Sequence, residues 1–482
     1  FPVARRQQEL EKELNELNER LAVGLYLPIW QSSHKHFSIV RLEPKESKVL
    51  KSRERCPYIL FFEMVESDFE SSAPNLQQIA SFYGPIINRI KTGTRRRRPR
   101  NPAQAVTSDP NPLSLSSSSS DPSLSSSSSS SSSLSIPSSS SPRRGRGAGG
   151  ASGLQEEAKV LPDTDPENPD DDSEAPRGSS FDDDNSAPAA SPYGELYREK
   201  QERIRSQSPF GIVPTWKLSS AIVKFGDDCR QEYLAMQLIG RFKQIFDEAH
   251  LSLWLRPYRI LVNTPNSGLI ETLTDCLSIH GIKKFYDLDP PISLVEHFRR
   301  QADNDDQRFK KLVHNFTESL AGYSLVSYLL QFKDRHNGNL MIDRKGHLIH
   351  IDFGFMLGIS PGGINAEGLT FKLTSEFVEV MGGTNSAMFY YFKVLMIQGF
   401  LEVRKRCEDI ILLVEIMGTG SKLPCFQAGV GPTVEALRER FKIGLTDDQT
   451  VKFIEKMIVE STDNWRTRYY DHFQYLTNGI VP

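Results

Sequence analysis

The middle of this chain cannot build a hydrophobic core, and that limits what the rest can fold into. A run of four arginines at 95–98 opens the stretch, serine-rich sequence fills 113–141, and clustered acids follow over 163–184. Such a composition buries too little apolar surface to offset the entropy of ordering it, so 93–192 is expected to stay disordered. The arginine run reads as a solvated charged flank, or as a localisation or anionic-lipid patch. Any folded unit is then assembled from 1–92 and 193–482, with the low-complexity stretch as an insert.

Charge and hydropathy exclude several classes. The 58 Lys and Arg against 61 Asp and Glu leave a net charge of -3. That is no global basic field, so no nucleic-acid partner is expected. No run of about 18 or more apolar residues occurs, so no transmembrane helix is expected. Cys56, Cys229, Cys276, Cys407 and Cys425 are scattered without a CxxC pair. They read as free thiols in a reducing compartment, which points to the cytoplasm. A start at Phe1 with no signal-peptide pattern reads as a piece of a longer chain.

Outside the insert, periodicity gives an α+β outline. Residues 5–22 place Leu10, Leu14, Leu17 and Leu21 on one helical face, an amphipathic helix needing a partner surface. Short apolar runs at 37–40, 48–50 and 58–65 predict antiparallel strands. Further strands are expected at 220–224, 259–263, 341–343 and 347–351, and helical periodicity dominates 384–418 and 446–475. The outline is a small sheet-containing lobe followed by a larger, mainly helical one. The boundaries read as an N-terminal helix and first part of the small lobe at 1–92, the insert at 93–192, the remaining small lobe and hinge at 193–273, and the large lobe at 274–482.

The strongest chemical signal is Lys333-Asp334-Arg335-His336-Asn337-Gly338-Asn339 followed by Ile351-Asp352-Phe353-Gly354. Phosphoryl transfer needs an acid near the attacking hydroxyl, an amide oxygen, and a second carboxylate to hold magnesium on ATP phosphates. Asp334, Asn339 and Asp352 supply those groups in that order. Between them, 340–351 reads as a hairpin turning at Asp343-Arg344-Lys345-Gly346, which brings Asn339 and Asp352 together. Protein kinases write the first motif with histidine before the aspartate; here His336 follows it. Upstream, Lys224 ends an apolar strand, and Asp227 or Asp228 can cap a helix whose apolar face is Leu234, Leu238, Phe242 and Ile245. Lys224 can reach phosphates there, held by Glu232 in the first helical turns. No glycine-rich phosphate loop of the usual form occurs. Ser206-Gln207-Ser208-Pro209-Phe210-Gly211 is the candidate cover, with Ser208 as a phosphate contact, and an ordinary Ser-Pro turn is the bland alternative.

Taken together, the segments at 224–232, 333–339 and 350–355 resemble the phosphatidylinositol 3-/4-kinase superfamily. Finer features resemble its type III beta 4-kinases: Ser278-Ile279-His280, Phe371-Lys372-Leu373-Thr374, Val380-Met381-Gly382-Gly383, and the ending Phe473-Gln474-Tyr475-Leu476-Thr477-Asn478-Gly479-Ile480. The resemblance covers 193–482 and extends more weakly over 9–92. It implies a two-lobed lipid kinase that uses ATP and Mg2+ to phosphorylate the 4-hydroxyl of phosphatidylinositol. Lys224 would contact phosphates with Glu232 in support, Tyr258 would wall the nucleotide pocket, and Glu271 and Leu273 would bind adenine through their backbones. Asp334 and His336 would serve the attacking hydroxyl, and Asn339 and Asp352 would hold magnesium. It also implies peripheral work on membranes, at the Golgi, with adaptor or small-GTPase partners acting through an upstream region.

Three other readings compete. A phosphoinositide-kinase-related protein Ser/Thr kinase shares the Asp-Arg-His order but is much longer, with a distinctive C-terminal tail. A pseudokinase scaffold would lack the lysine, the asparagine or the second aspartate, and all are present. A phosphoinositide 3-kinase using bisphosphorylated lipid would carry basic residues after Gly354. Residues 353–371 contain no lysine or arginine, and Glu367 is their one charge.

Overall fold

A computed structural model describes residues 3–22, 25–30, 36–50, 52, 55–67, 191–361 and 370–482. All belong to one unit, formed by Phe1–Ile90 and Glu174–Pro482. The expected disordered insert falls almost wholly outside the described residues.

Both sides of the insert contribute to a single sheet. Its strands are β1 (Leu25–Tyr26), β2 (His36–Leu42), β3 (Lys48–Val49), β4 (Tyr58–Ser67), β5 (Lys217–Phe225), β6 (Ile260–Thr264) and β7 (Ser267–Glu271). The order is β1-β2-β4-β5-β7-β6, with β3 on the side of β4, and every pairing is antiparallel. The central contact is β4 with β5, in register from Tyr58 opposite Val223 to Met64 opposite Lys217.

Strand β4 is apolar on both faces because both are covered. Phe62 and Met64 join Leu14, Phe37, Ile39, Leu42 and Ala221 beneath the helix Val3–Arg20. The alternate residue Phe61 packs with Ile204, Phe210, Trp216 and Leu218 beneath the helix Tyr197–Gln207. The N-terminal helix thus finds its partner in its own sheet. Gln7 bonds the Ser47 carbonyl and the Val49 N–H, and Asn18 bonds both backbone groups of Leu42. Leu17, expected on the apolar face, is exposed.

The second lobe is mainly helical. Its axis is Asp306–Leu330, capped by Asp305, which accepts from the N–H groups of Gln307 and Arg308. Most of that helix's second half is buried, against Ala387–Lys405 among others. The periodic stretch 384–418 resolves into two helices, Ala387–Lys405 and Cys407–Gly418, broken at Arg406 (φ -118). A small sheet of β8 (Cys276–Ser278), β9 (Leu340–Asp343) and β10 (Leu348–His350), in order β10-β9-β8, lies in this lobe. The β9–β10 hairpin turns at Gly346, whose φ is +90 and where a Cβ would lie 2.7 Å from the Leu312 carbonyl oxygen. The sequence reading lacks β1, β7 and β8. In β7, Gly268 serves close packing: a Cβ there would sit 2.9 Å from the Cys229 sulfur. All five cysteines are free, and no described helix is long and apolar enough to cross a membrane.

Candidate active site between the two lobes

Strand β5 delivers Lys224 at its end, and the helix Arg230–Glu248 follows after one turn. The expected buried face of that helix (Leu234, Leu238, Phe242, Ile245) is buried. Asp228 accepts from the Arg230 N–H and guanidinium. Glu232, in the first turn, lies 3.3 Å from Lys224 Nζ, and its other oxygen accepts from the Tyr258 hydroxyl at 2.6 Å. Burial would lower the Lys224 pKa, but the charges of Glu232 and Asp352 outweigh it and hold the ammonium above its ordinary value. Tyr258 is pushed well above the usual range by burial and then by Glu232, so it stays protonated and donates.

The second part of the site follows the long helix, which ends at Gln331 in the left-handed region. Arg335 ties the two motifs together. Its buried guanidinium donates to the carbonyls of Lys333 and Ile351, each at 2.8 Å, and to that of Asp352. Asp334 and Asp352 both hold positive φ, +61 and +60, a costly conformation for residues with a Cβ. Asn339 donates to the Asp334 carbonyl at 3.0 Å and lies 3.5 Å from its Oδ2. The Ile351 N–H donates to the Asn339 carbonyl, so the hairpin sets Asp352 beside Asn339 as its turn predicts. His336 Nδ1 accepts from the Gly338 N–H at 3.1 Å, and its Nε2 is 3.7 Å from Asp334 Oδ1. Burial lowers the His336 pKa against the opposing charge of Asp334.

Two tethers escaped the sequence reading. Gln231 donates to the carbonyls of Phe353 and Gly354 and accepts from the Cys425 N–H, fixing the segment after Asp352 to the small lobe's helix. Tyr470, from the C-terminal helix Trp465–Asn478, donates to Asp334 Oδ1. A buried polar side chain beside a motif is one available signal for the first; nothing in the local pattern marks the second.

Ser208 stands apart from these groups. Its hydroxyl donates to Glu63 Oε2, which also accepts from Trp216 Nε1 at 2.6 Å. Glu63 pairs with Leu218, six positions along β5 from Lys224, about 20 Å at strand rise. The described residues near the Lys224 end of β5 are instead Tyr58, which faces Val223, and Arg55, whose Nε bonds Asp227 at 3.3 Å. Glu271 ends β7, where its N–H donates to the Arg259 carbonyl and its carboxylate holds Arg256 and the Arg259 N–H. Leu273 lies in the crossing from β7 to β8, packed against the core that the two lobes share. Among the described residues no group of three or more His, Cys, Asp or Glu gathers as a metal site.

A curled antiparallel sheet above a helical lobe, with a lysine–glutamate pair facing an Asp–Asn–Asp set, defines a two-lobed kinase-type fold. The family model described as Phosphatidylinositol 3- and 4-kinase matches residues 218–428. The chain is 37% identical over its whole length to 45% of a Phosphatidylinositol 4-kinase of Dictyostelium discoideum. It is 36% identical over 98% of its length to 56% of Phosphatidylinositol 4-kinase beta of Danio rerio. Over 60% of its length it is 54% identical to 26% of Phosphatidylinositol 4-kinase beta 1 of Arabidopsis thaliana. The chain therefore belongs to the phosphatidylinositol 3- and 4-kinase superfamily, among relatives of the beta-type 4-kinases. It spans only about a quarter to a half of the length of these curated relatives.

Proposed function

We propose that this chain is the catalytic part of a phosphatidylinositol 4-kinase, which moves the ATP γ-phosphate to the 4-hydroxyl of phosphatidylinositol at a membrane surface. The observation that carries the reading is the meeting of Lys224, Glu232, Asp334, Asn339 and Asp352 from four separate segments. The small lobe would comprise 1–92 and 193–273, and the large lobe 274–482.

Each residue has a role consistent with its surroundings. Lys224, kept cationic by Glu232, neutralises phosphate oxygens, and Tyr258 fixes Glu232 for that task. Asn339 and Asp352 offer one amide and one carboxylate oxygen. That suits Mg2+, which takes few protein ligands and shares the rest of its shell with phosphates and water. The bound ion would neutralise charge developing on those phosphates. Because His336 Nδ1 accepts a backbone N–H and the ring is held neutral, its own proton sits on Nε2, facing Asp334. His336 is then a donor that orients or stabilises, and Asp334 is the group that takes the inositol proton. Glu271 and Leu273, at the crossing between lobes, remain the proposed adenine contacts.

The substrate reading rests on charge. Ring phosphates call for clustered cations, and 353–371 has none; 362–369 lie outside the described residues. The next cation, Lys372, is held by Asp471 and Asn337. Arg344 is engaged with Ser191, Gly194 and Asp275. Plain phosphatidylinositol is therefore the favoured substrate. Golgi membranes and adaptor or small-GTPase partners through upstream sequence extend the same proposal.

The test is product analysis with Mg-ATP and vesicles presenting phosphatidylinositol, its monophosphates and its 4,5-bisphosphate at equal mole fraction. Phosphatidylinositol 4-phosphate as the main product is expected. A 3-phosphate product would move the chain to the other lipid-kinase branch, and phosphorylated protein without lipid product to the protein-kinase branch. Equal turnover of the bisphosphate would defeat the charge argument.

A further inference from the structure

The C-terminal helix Trp465–Asn478 reaches the catalytic loop with more than packing. Asp471 pairs with the buried Lys372 at 2.7 Å, and Lys372 also donates to Asn337 Oδ1 at 3.1 Å. Asn337 in turn donates to the Val481 carbonyl, and the Val481 N–H donates to His280 Nδ1. This network fixes the helix relative to the loop. On that fixed helix the Tyr470 hydroxyl donates to Asp334 Oδ1 and accepts from Gln474 Nε2 at 2.8 Å. Burial, and then the bond to Asp334, raise the Tyr470 pKa, so the phenol keeps its proton and can act toward the carboxylate only as a donor.

The consequence is an ordering of the two Asp334 oxygens. Oδ1 is occupied by the phenol, with His336 Nε2 at 3.7 Å, while Oδ2 faces Asn339 Nδ2 at 3.5 Å. A carboxylate held on one oxygen by a donor on a rigid element presents the other in a fixed direction, which is what proton acceptance in line with an attacking hydroxyl requires. We propose that Tyr470 is a positioning residue for phosphoryl transfer, locking Asp334 so that Oδ2 receives the substrate proton. This rests on the reading of Asp334 given above. It makes the C-terminal helix part of the catalytic apparatus through its hold on Asp334.

The experiment compares Tyr470→Phe, Gln474→Ala, Tyr469→Phe and Asp334→Ala on phosphatidylinositol vesicles with Mg-ATP, with melting temperature measured for each. Tyr470→Phe keeps the ring and loses only the hydroxyl. Its kcat is expected to fall about tenfold, near the effect of one charge-assisted hydrogen bond, with KM for ATP and melting temperature unchanged. Gln474→Ala should give a smaller fall in the same direction. Tyr469, 68% exposed on the same helix, should tolerate its change. Unchanged kcat in Tyr470→Phe overturns the proposal. So does a raised kcat, which would make the phenol a competitor of the substrate hydroxyl, and so does a joint loss of kcat, KM and melting temperature. If Asp334→Ala stays active, the assignment of Asp334 itself is what fails.

Discussion

The two ends of strand β5 hold similar chemistry and put it to different use. At one end Glu63 accepts from the indole of Trp216 and the hydroxyl of Ser208; at the other Glu232 accepts from the phenol of Tyr258. Both are carboxylates beside an aromatic donor, Glu63 wholly and Glu232 largely withdrawn from solvent. Glu63 is fully enclosed, and its cation, Arg41, comes from the neighbouring strand of the same sheet. Glu232 instead holds Lys224, whose side chain is 26% exposed and whose ammonium feels the charge of Asp352 from the other lobe. A buried acid with an aromatic partner is therefore not by itself a site. On the proposed reading, what marks the site is a charge left partly open toward a second charge on another element.

The sharpest break between the ends is catalytic. Lys224→Ala and Asp352→Ala should each lower turnover by about a thousandfold or more, because charge stabilisation at the phosphates carries most of such a reaction. Melting temperatures should stay near that of the wild type, and transfer from labelled ATP to phosphatidylinositol is the measurement. Near-normal kcat in either variant would remove the distinction between the two ends.

Glu63→Ala should do the reverse. It strips the acceptor from Trp216 Nε1 and Ser208 Oγ, and buried donors left unmatched cost about 1–3 kcal/mol each. Denaturant unfolding should show a loss of about 3 kcal/mol, while kcat per folded molecule stays unchanged. A thousandfold loss of kcat would place the phosphate site at the Ser208 end after all.

The same contrast can be sharpened through pH. Burial and a hydrogen bond with Glu63 push the Glu43 carboxyl up to about 8, from an ordinary value of 4.5. Between those values the folded protein keeps a proton that the unfolded chain has released, so stability falls as pH rises through that window. Glu43→Gln should remove this slope, read as urea midpoints at pH 5.5 and 8.5. Parallel slopes in wild type and variant would exclude Glu43 as the source.

The smallest expected change is from excising 100–190. Serine-rich and acidic sequence contributes little apolar surface, and the entropy of loop closure grows slowly with length. Turnover should stay within about twofold, and a folded but inactive deletion would make the insert part of the enzyme.

How much of this was legible follows from what is local. Lys224 and Glu232 are joined by one strand, one turn and one helix, and Asp334, Asn339 and Asp352 by one loop and one hairpin. Each spacing translates directly into proximity. Hydroxyls and backbone N–H groups make the Ser208 loop a candidate cover over Lys224 in the sequence alone. Which loop adjoins Lys224 is set instead by the register of β4 on β5, a pairing across the whole insert that no local pattern encodes. Tyr470 was hidden for a related reason: an aromatic on an amphipathic helix reads the same whether it meets a core, solvent or a carboxylate. Leu17 shows the limit from the other side, since its spacing fits the apolar face and the helix still turns it outward.

The β4–β5 pairing also sets the order in which such a chain can fold. Strand β4 ends at Ser67 and β5 begins at Lys217, so forming their ladder closes a loop of about 150 residues. Against a roughly ten-residue loop, that closure costs about 2 kcal/mol more, before any contact offsets it. Strands β5, β6 and β7, the helix Arg230–Glu248 and the large lobe are linked by much shorter connections. They can form a nucleus on their own, with Lys224 already facing Asp352. The ribbon of β1 to β4 with the N-terminal helix then docks late, onto an edge left waiting by β5. Substitutions in Phe62 or Met64 should therefore speed unfolding more than they slow folding, whereas those in Phe242 or Leu325 should do the opposite.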